Sequence, residues 1–307
     1  MLGFDWHSSG TTTVTCGALK QALSIHEHGI GVAGGKGRAS KKTPEDIENI
    51  AEHFHLDVDK LKYSSMMSAK IDNAAVQDFH QLYHHSFFIT ESGNWAVVQQ
   101  GMCAEEHSAR RYHWLSENLK NFVEEPHTSI LGEIKLKNVL NMTAKKSEEA
   151  RNISVDLVND GYKKIEYMVK AIRKPYQKGL EDFGIARDSQ KLKILEMPDT
   201  INWTALKRAC EIQPRGYEDL LAIRGIGAKT IRALALISEL IYSKEPSWQD
   251  PVKYSFAVGG KDGVPYPIDR KVMDETIGVL NAGIEQAEIG NREKLDAIKR
   301  LQNFVRT

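Results

Sequence analysis

The stretch Tyr217 to Tyr242 reads YEDLLAIRGIGAKTIRALALISELIY, and it decides the fold of the C-terminal part of the chain. Leu220, Leu221 and Ile223 close one helix, Gly225-Ile226-Gly227 makes a tight turn, and Ala228 opens a second, strongly apolar helix. Glycine is required where the backbone must take positive φ or lie close against a ligand. Two glycines flanking Ile226 leave amide N–H groups free at the mouth of the second helix, an anion site suited to a phosphate. Ile226 is expected to plug the turn into the core. Residues 205 to 233 hold six Lys/Arg against three Asp/Glu, with Arg215, Arg224, Lys229 and Arg232 around the turn. The chain as a whole has no such bias, because 41 basic and 41 acidic residues cancel over its 307 positions. Any site for a polyanion must therefore be local.

Leu221 to Thr230 (LAIRGIGAKT) resembles the helix-hairpin-helix of DNA repair glycosylases, whose hairpin ends Gly-hydrophobic-Gly-x-Lys-Thr. In that superfamily a Gly/Pro-rich loop follows, then an aspartate opening a helix, and Gly259 to Val272 (GGKDGVPYPIDRKV) is similar. The resemblance implies DNA as the partner, contacted by Arg224, Gly225, Ile226, Gly227, Lys229 and Thr230. It also implies a glycosylase or abasic-site lyase, with Asp269 stabilising oxocarbenium character on the sugar and Lys229 attacking the anomeric carbon to form a Schiff base. Each residue also has a plainer use, Lys229 as a phosphate contact or solvated side chain and Asp269 as a helix N-cap. Nearly end to end, the chain is similar to the domain-of-unknown-function 763 family, through FDWHSSGTTTVTCGALK, VAGGKGRASKKTPEDI, KIDNAAVQDFHQLYHH, WAVVQQGM, ARRYHWLS and SFAVGGKDGVPYPIDR. That kinship implies no activity. Members usually carry a further segment before FDWHSSG, and Leu2, Phe4 and Trp6 alternate from the first residue with no polar lead-in, so the chain reads as shortened.

Outward from the hairpin, all eleven histidines fall between His7 and His127, which separates regions of different chemistry. The expected fold class is α+β: a histidine-rich mixed α/β domain over 1–127, a helical connector over 128–197, and an all-helical domain over 198–307. That last domain holds the helix-hairpin-helix (217–242) and the Gly/Pro-rich loop (259–269). The β-branched run TTTVTC predicts an extended strand from Leu2 to Cys16. Gly29 to Arg38 reads as a glycine-rich loop, and Thr43-Pro44 opens a helix with Glu45 and Asp46 in its first turn. Met66, Ile71, Ala75, Phe79 and Leu82 recur at helical spacing and predict a helix over 61–85. In SFFITESGNWAVVQQGM two apolar runs flank Glu91-Ser92-Gly93-Asn94, a β-hairpin pattern. AEEHSARRYHWLSENL predicts a return to helix, KKSEEARNISVDLVNDGYKKIEYMVKAIRK a connecting helix ending at Pro175, and Arg292 to Phe304 a final amphipathic helix.

Asp5, His7, Asp72, Asp78, His80, His84 and His85 are of the types that hold a divalent metal or exchange protons. On the expected helix His80 and His84 share one face, so Asp5, His7, Asp72, His80 and His84 form the candidate metal set. The same histidines equally suit a packing role. Asp72 followed by a strand carrying Gln99 and Gln100 resembles metal-dependent nucleases that place an acid and Gln or Glu on adjacent elements; Mg²⁺ or Mn²⁺ is the ion that reading requires. No cofactor is demanded by the sequence itself. Lys36 and Arg38, with Lys41 and Lys42, suit a basic loop over a phosphate backbone, or are simply solvated. Gly29 to Gly34 matches GxGxxG in letters, yet no buried strand precedes it and no helix opens at its last glycine, so no nucleotide cofactor is expected. A third class is a noncatalytic module whose histidine-rich half recruits another protein.

Cys16, Cys103 and Cys210 show no CxxC spacing, which argues against a disulfide framework and a thiolate zinc site. No window approaches the ~18 apolar residues of a membrane span, and no basic-then-apolar leader opens the chain. A cytoplasmic protein with no membrane partner is expected. With 41% hydrophobic and 27% charged residues, wholesale disorder is excluded.

Overall fold

The threonine-rich start folds as a helix, α1 (Ser9–Ala22), and this corrects the expected strand from residue 9 onward. Its inward side decides the matter. Cys16 is buried, Thr12 Oγ1 accepts from Arg111 Nε at 2.8 Å, and Lys20 Nζ reaches Gly34 O at 3.1 Å and Asp46 at 2.6 Å. Tertiary contacts override the strand propensity of TTTVTC. The computed structural model describes residues 9–23, 25–105, 108–132, 135–178 and 196–252, with isolated positions between 271 and 299 that are mostly helical. The chain forms two compact units, one of Met1–Thr11 with Phe256–Thr307 and one of Thr12–Ser255. Both sheets belong to the second.

A single helical turn, α2 (Ile25–His28), leads into β1 (Ile30–Lys36), so most of the expected glycine loop is strand. The glycines are there for closeness. A Cβ on Gly31 would lie 2.7 Å from the Ile50 side chain, and one on Gly34, at φ +83°, 2.3 Å from His85 O. A 3₁₀ turn over Gly37–Lys42 carries Arg38, and α3 (Thr43–His53) follows with the expected proline and acids in its first turn. Next comes α4 (Val58–Lys70), N-capped by Asp57, whose carboxylate accepts from Lys60 N at 3.0 Å.

The helix expected over 61–85 stops far short. A π-helical turn (Ile71–Ala75) follows α4, then β2 (Val76–Gln77) and β3 (Gln81–Thr90). Phe79, counted on the apolar face of that helix, has φ +67° and is 59% exposed. The expected hairpin joins β3 to β4 (Trp95–Cys103), with Gly93 at φ +81° in the turn. Where AEEHSARRYHWLSENL predicted helix, β5 (Ser108–Leu115) continues the sheet, followed by β6 (Ser129–Gly132). The order is β1-β3-β4-β5-β6, every pair antiparallel.

β7 (Lys137–Asn141) leaves this sheet and pairs with β2. The connector holds two helices, α5 (Glu148–Asp160) and α6 (Tyr162–Lys178), broken at Gly161 with φ +107°; α6 runs past Pro175. Then come α7 (Trp203–Ile212), α8 (Tyr217–Ala222), α9 (Ala228–Tyr242) and β8 (Ser247–Gln249). Because β8 pairs with β7 in a three-stranded sheet, the region from 198 onward is not wholly helical. The fold is α+β with antiparallel sheets. No helix among the described residues is long and apolar enough to cross a membrane.

One face of the larger sheet packs on α3 and α4. Phe87, Ile89, Trp95, Val97 and Trp114 meet Ile47, Ile50, Met67 and Ile71 in a single buried cluster, with Phe87 stacked on Trp95 at 5.3 Å.

Candidate functional site

Between α8 and α9 the chain bends over Ile223 to Gly227. Gly225 takes φ +93°, and a Cβ there would sit 2.8 Å from Ala205 Cβ, so conformation and space both demand glycine. Ile226 is buried as the plug. The carbonyls of the bend face donors. Lys70 Nζ donates to Ile223 O at 3.0 Å and Ile226 O at 2.8 Å, Arg208 Nη2 to Arg224 O, and Asn202 Nδ2 lies 3.4 Å from Gly225 O. Burial lowers the Lys70 pKa from its ordinary value. The amides do the opposite: among the described residues the N–H groups of Gly227, Ala228, Lys229 and Thr230 meet no acceptor, and the first intrahelical bond is from Ile231 N to Gly227 O at 3.0 Å. A Cβ on Gly227 would meet nothing within 4 Å, so the mouth of α9 opens on free space. Arg224 and Lys229 are exposed beside it, Lys229 Nζ donating to Thr200 Oγ1 at 2.6 Å, while Thr230 is buried.

A second concentration of polar groups lies on the inner face of the larger sheet. Register sets His85 opposite Gln99, Gln99 opposite Tyr112 and Gly101 opposite Arg110. The face that is apolar at Phe87, Val97 and Trp114 is thus polar at its other end. The π-helical turn delivers Asp72 into it. Asp72 Oδ2 accepts from Gln99 Nε2 at 2.5 Å and Trp114 Nε1 at 3.0 Å, and Oδ1 pairs with His127 Nε2. Burial pushes the Asp72 pKa up, and His127 and Trp114 offset part of that rise. Asp78 accepts from Tyr112 OH at 2.7 Å and from Arg110 Nη1 at 2.9 Å, and Arg110 also grips Asp250, with Nη1 at 2.8 Å. Burial opposes the charged form of Asp78, yet the bond from His80 and the charge of Arg110 hold its pKa below the usual carboxylate range. A buried Arg between two carboxylates is a structural clamp.

Along α4, Lys62, Ser65, Met66 and Ala69 share one side and form a wall of a cleft of about 470 Å³. Ser40, Lys41, Thr43, Pro44 and Ile47 form the facing wall, and Leu82 to His85 with Gln99 complete the lining. Ser65 Oγ lies 2.8 Å from His85 Nε2, both side chains being more than nine-tenths buried. Burial lowers the His85 pKa and Gln99 offsets part of the drop. His84 Nε2 lies 3.1 Å from Ser86 Oγ, and burial with the neighbouring His85 and Lys36 lowers the His84 pKa to about 4. Lys36 and Arg38 are exposed, Lys36 Nζ lying 6.0 Å over the ring of cleft-lining Tyr83.

Among the described residues, Asp72, His80 and His84 of the candidate metal set do not gather. His80 and His84 do not share a helical face: His80 precedes β3 and bonds Ser108 Oγ at 3.0 Å, while His84 lies within the strand. Asp72 keeps its own partners, and among the described residues no group of three or more His, Cys, Asp or Glu gathers for a metal. Asp5, His7, Asp269 and the loop 259–269 lie outside the described residues.

The model of a family described as "Protein of unknown function (DUF763)" matches residues 1–268. The chain belongs to the DUF763 family. No curated protein and no solved structure matches it. In this DUF763 member, sequence reasoning found the hairpin and named Asp72, His85 and Gln99, but it missed Ser65, Arg110, Trp114, His127 and Asp250. The period-two pattern Arg110, Tyr112, Trp114 was the available signal for three inward-facing groups on one strand.

Proposed function

We infer that this DUF763 protein binds DNA by clasping the phosphate backbone at the bend between α8 and α9. One observation carries the reading: the carbonyls of Ile223 to Ile226 are turned to donors within the protein, while the N–H groups of Gly227 to Thr230, beside exposed Arg224 and Lys229, meet no acceptor among the described residues. A helix mouth with free amides and two cations suits a phosphate. Lys36 and Arg38 add exposed charge elsewhere on the same unit.

The test is fluorescence anisotropy of a labelled duplex against the full chain over a salt series. The affinity should fall as salt rises, and Arg224→Ala and Lys229→Ala should each weaken binding while reducing the salt slope by about one. Binding indifferent to salt, or unchanged in both variants, overturns the reading. The lyase form adds Lys229 as Schiff-base nucleophile and Asp269 as its electrostatic partner. Borohydride trapping on an abasic duplex separates it: an adduct lost in Lys229→Ala marks a lyase, and no adduct leaves the hairpin as a clasp alone.

A further inference from the structure

Ser65 and His85 meet in the lining of the cleft beside α4, and the order of hydrogen bonds behind them has a direction. Burial keeps the His85 ring neutral near neutral pH, so one ring nitrogen carries a proton and the other accepts. Gln99 favours one of the two. Its Nε2 donates to Asp72 Oδ2 at 2.5 Å, and turning the carboxamide over would set its oxygen against the carboxylate. Asp72 is itself held by Trp114 Nε1 and His127 Nε2. Gln99 Oε1 then lies on the side of His85, its neighbour across the strands, and Gln99 Oε1 and His85 Nδ1 are both buried with no hydrogen-bond partner among the described residues, the one an acceptor and the other able to donate. In the tautomer with the proton on Nδ1, Nε2 is the acceptor of the Ser65 hydroxyl. Hydroxyl, base and orienting group stand in the sequence that a nucleophilic serine needs.

We propose that the cleft is a hydrolytic site for phosphodiesters, with Ser65 as nucleophile, His85 as general base and Gln99 as positioning residue. At about 470 Å³ the cleft has the size of a small-molecule site. Pro44, Ile47, Met66 and Leu82 offer apolar wall to an organic substituent. Lys41, exposed, and Lys62, paired with Glu48 at 2.9 Å, put positive charge in the lining, which favours a substrate whose scissile group is anionic. In the first step Ser65 Oγ bonds to phosphorus as its proton passes to His85 Nε2; the bond from phosphorus to one alcohol oxygen breaks, and the alcohol leaves with that proton. In the second, a water gives its proton to His85 and attacks the phosphoserine. The bond to Oγ breaks, the phosphomonoester departs, and Ser65 takes the proton back. One diester and one water become a monoester and an alcohol, with no other reactant. The site is independent of the DNA reading, because a small diester has no need of the hairpin.

The experiment is release of nitrophenolate from thymidine 5′-(p-nitrophenyl phosphate) by the full chain in excess EDTA. Turnover should fall ~100-fold or more in Ser65→Ala and His85→Asn, and a fluorophosphonate probe, losing fluoride as HF, should add its phosphonyl group to the peptide carrying Ser65. Gln99→Leu removes the interaction that raises the His85 pKa, so it should lower kcat and move the acid limb of the pH profile to lower pH, a shift that a purely structural role does not produce. Ser65→Cys guards against misfolding of the alanine variant: its thiol should react with iodoacetamide faster than an ordinary cysteine, and lose that advantage when His85→Asn is added. Turnover that survives Ser65→Ala overturns the proposal. So does turnover of p-nitrophenyl acetate without turnover of the diester, or an unlabelled Ser65 together with an unreactive thiol in Ser65→Cys.

Discussion

Acid should unfold this protein first through its histidines. His84 and His113 are held at about 4 against an ordinary 6.5, in each case chiefly by burial, and His85 is shifted the same way. The folded pKa lies below the unfolded one, so between those values the unfolded chain binds more protons. Stability is therefore complete above about pH 6.5 and declines as pH falls toward 4. At about pH 5 an unfolded histidine is almost fully protonated and these two are barely so, which amounts to about 2 kcal/mol for each and about 4 for the pair. That is a large share of the roughly 5–15 kcal/mol that holds a domain together. Asp72 works in the opposite sense, since burial raises its pKa, and subtracts from the effect. Urea unfolding followed by tryptophan fluorescence at about pH 7.5 and about pH 5 measures the difference. The midpoint should fall with pH in the wild type, and His84→Gln with His113→Gln should remove most of that fall. An unchanged midpoint, or a double variant that keeps the full pH dependence, refutes the reasoning.

Other perturbations probe the clamps. Lys70→Met strips the donor from Ile223 O and Ile226 O; we expect a loss of about 2–4 kcal/mol in urea unfolding and a matching fall in duplex affinity by anisotropy. Arg110→Met leaves Asp78 and Asp250 buried together and should cost about 3–5 kcal/mol, much of it regained when Asp78→Asn and Asp250→Asn are added. Gly225→Val forces a β-branched residue to φ +93° against Ala205, with an expected loss of about 1–3 kcal/mol and of duplex binding at high salt. Phe87→Ala opens a hole beneath the stacked Trp95 and should lower stability by about 3–5 kcal/mol.

Local signals were legible where they were strong. The turn Glu91 to Asn94 carries glycine at a positive φ between β-rich runs, and the bend at Gly225 is written in two glycines around a buried isoleucine. The strand β5 was illegible because its buried side is polar: Arg110 and Tyr112 point inward with Trp114, so hydrophobicity does not alternate although burial does. The helix that ends at Lys70 hid a π-helical turn, since Ile71 and Ala75 still fit a helical stripe while the chain was already leaving it. The cluster around Asp72 needed partners 27, 42 and 55 positions away, a distance no local pattern spans. Ser65 gave no signal at all, being one serine among several on an amphipathic helix.

The clamp on Arg110 also sets a timetable. Its second carboxylate comes from a residue 140 positions later, and Ser247 N donates to Ser147 Oγ across another 100. During synthesis, the early portion of the chain emerges with a buried guanidinium site half built and a ribbon, β7, still waiting for its outer neighbour. Such distant closures come late and slow the search for the native state. Until the ribosome delivers Asp250 the clamp on Arg110 is incomplete, and we expect a chain interrupted upstream of that codon to be less stable than the whole and more exposed to chaperones and proteases.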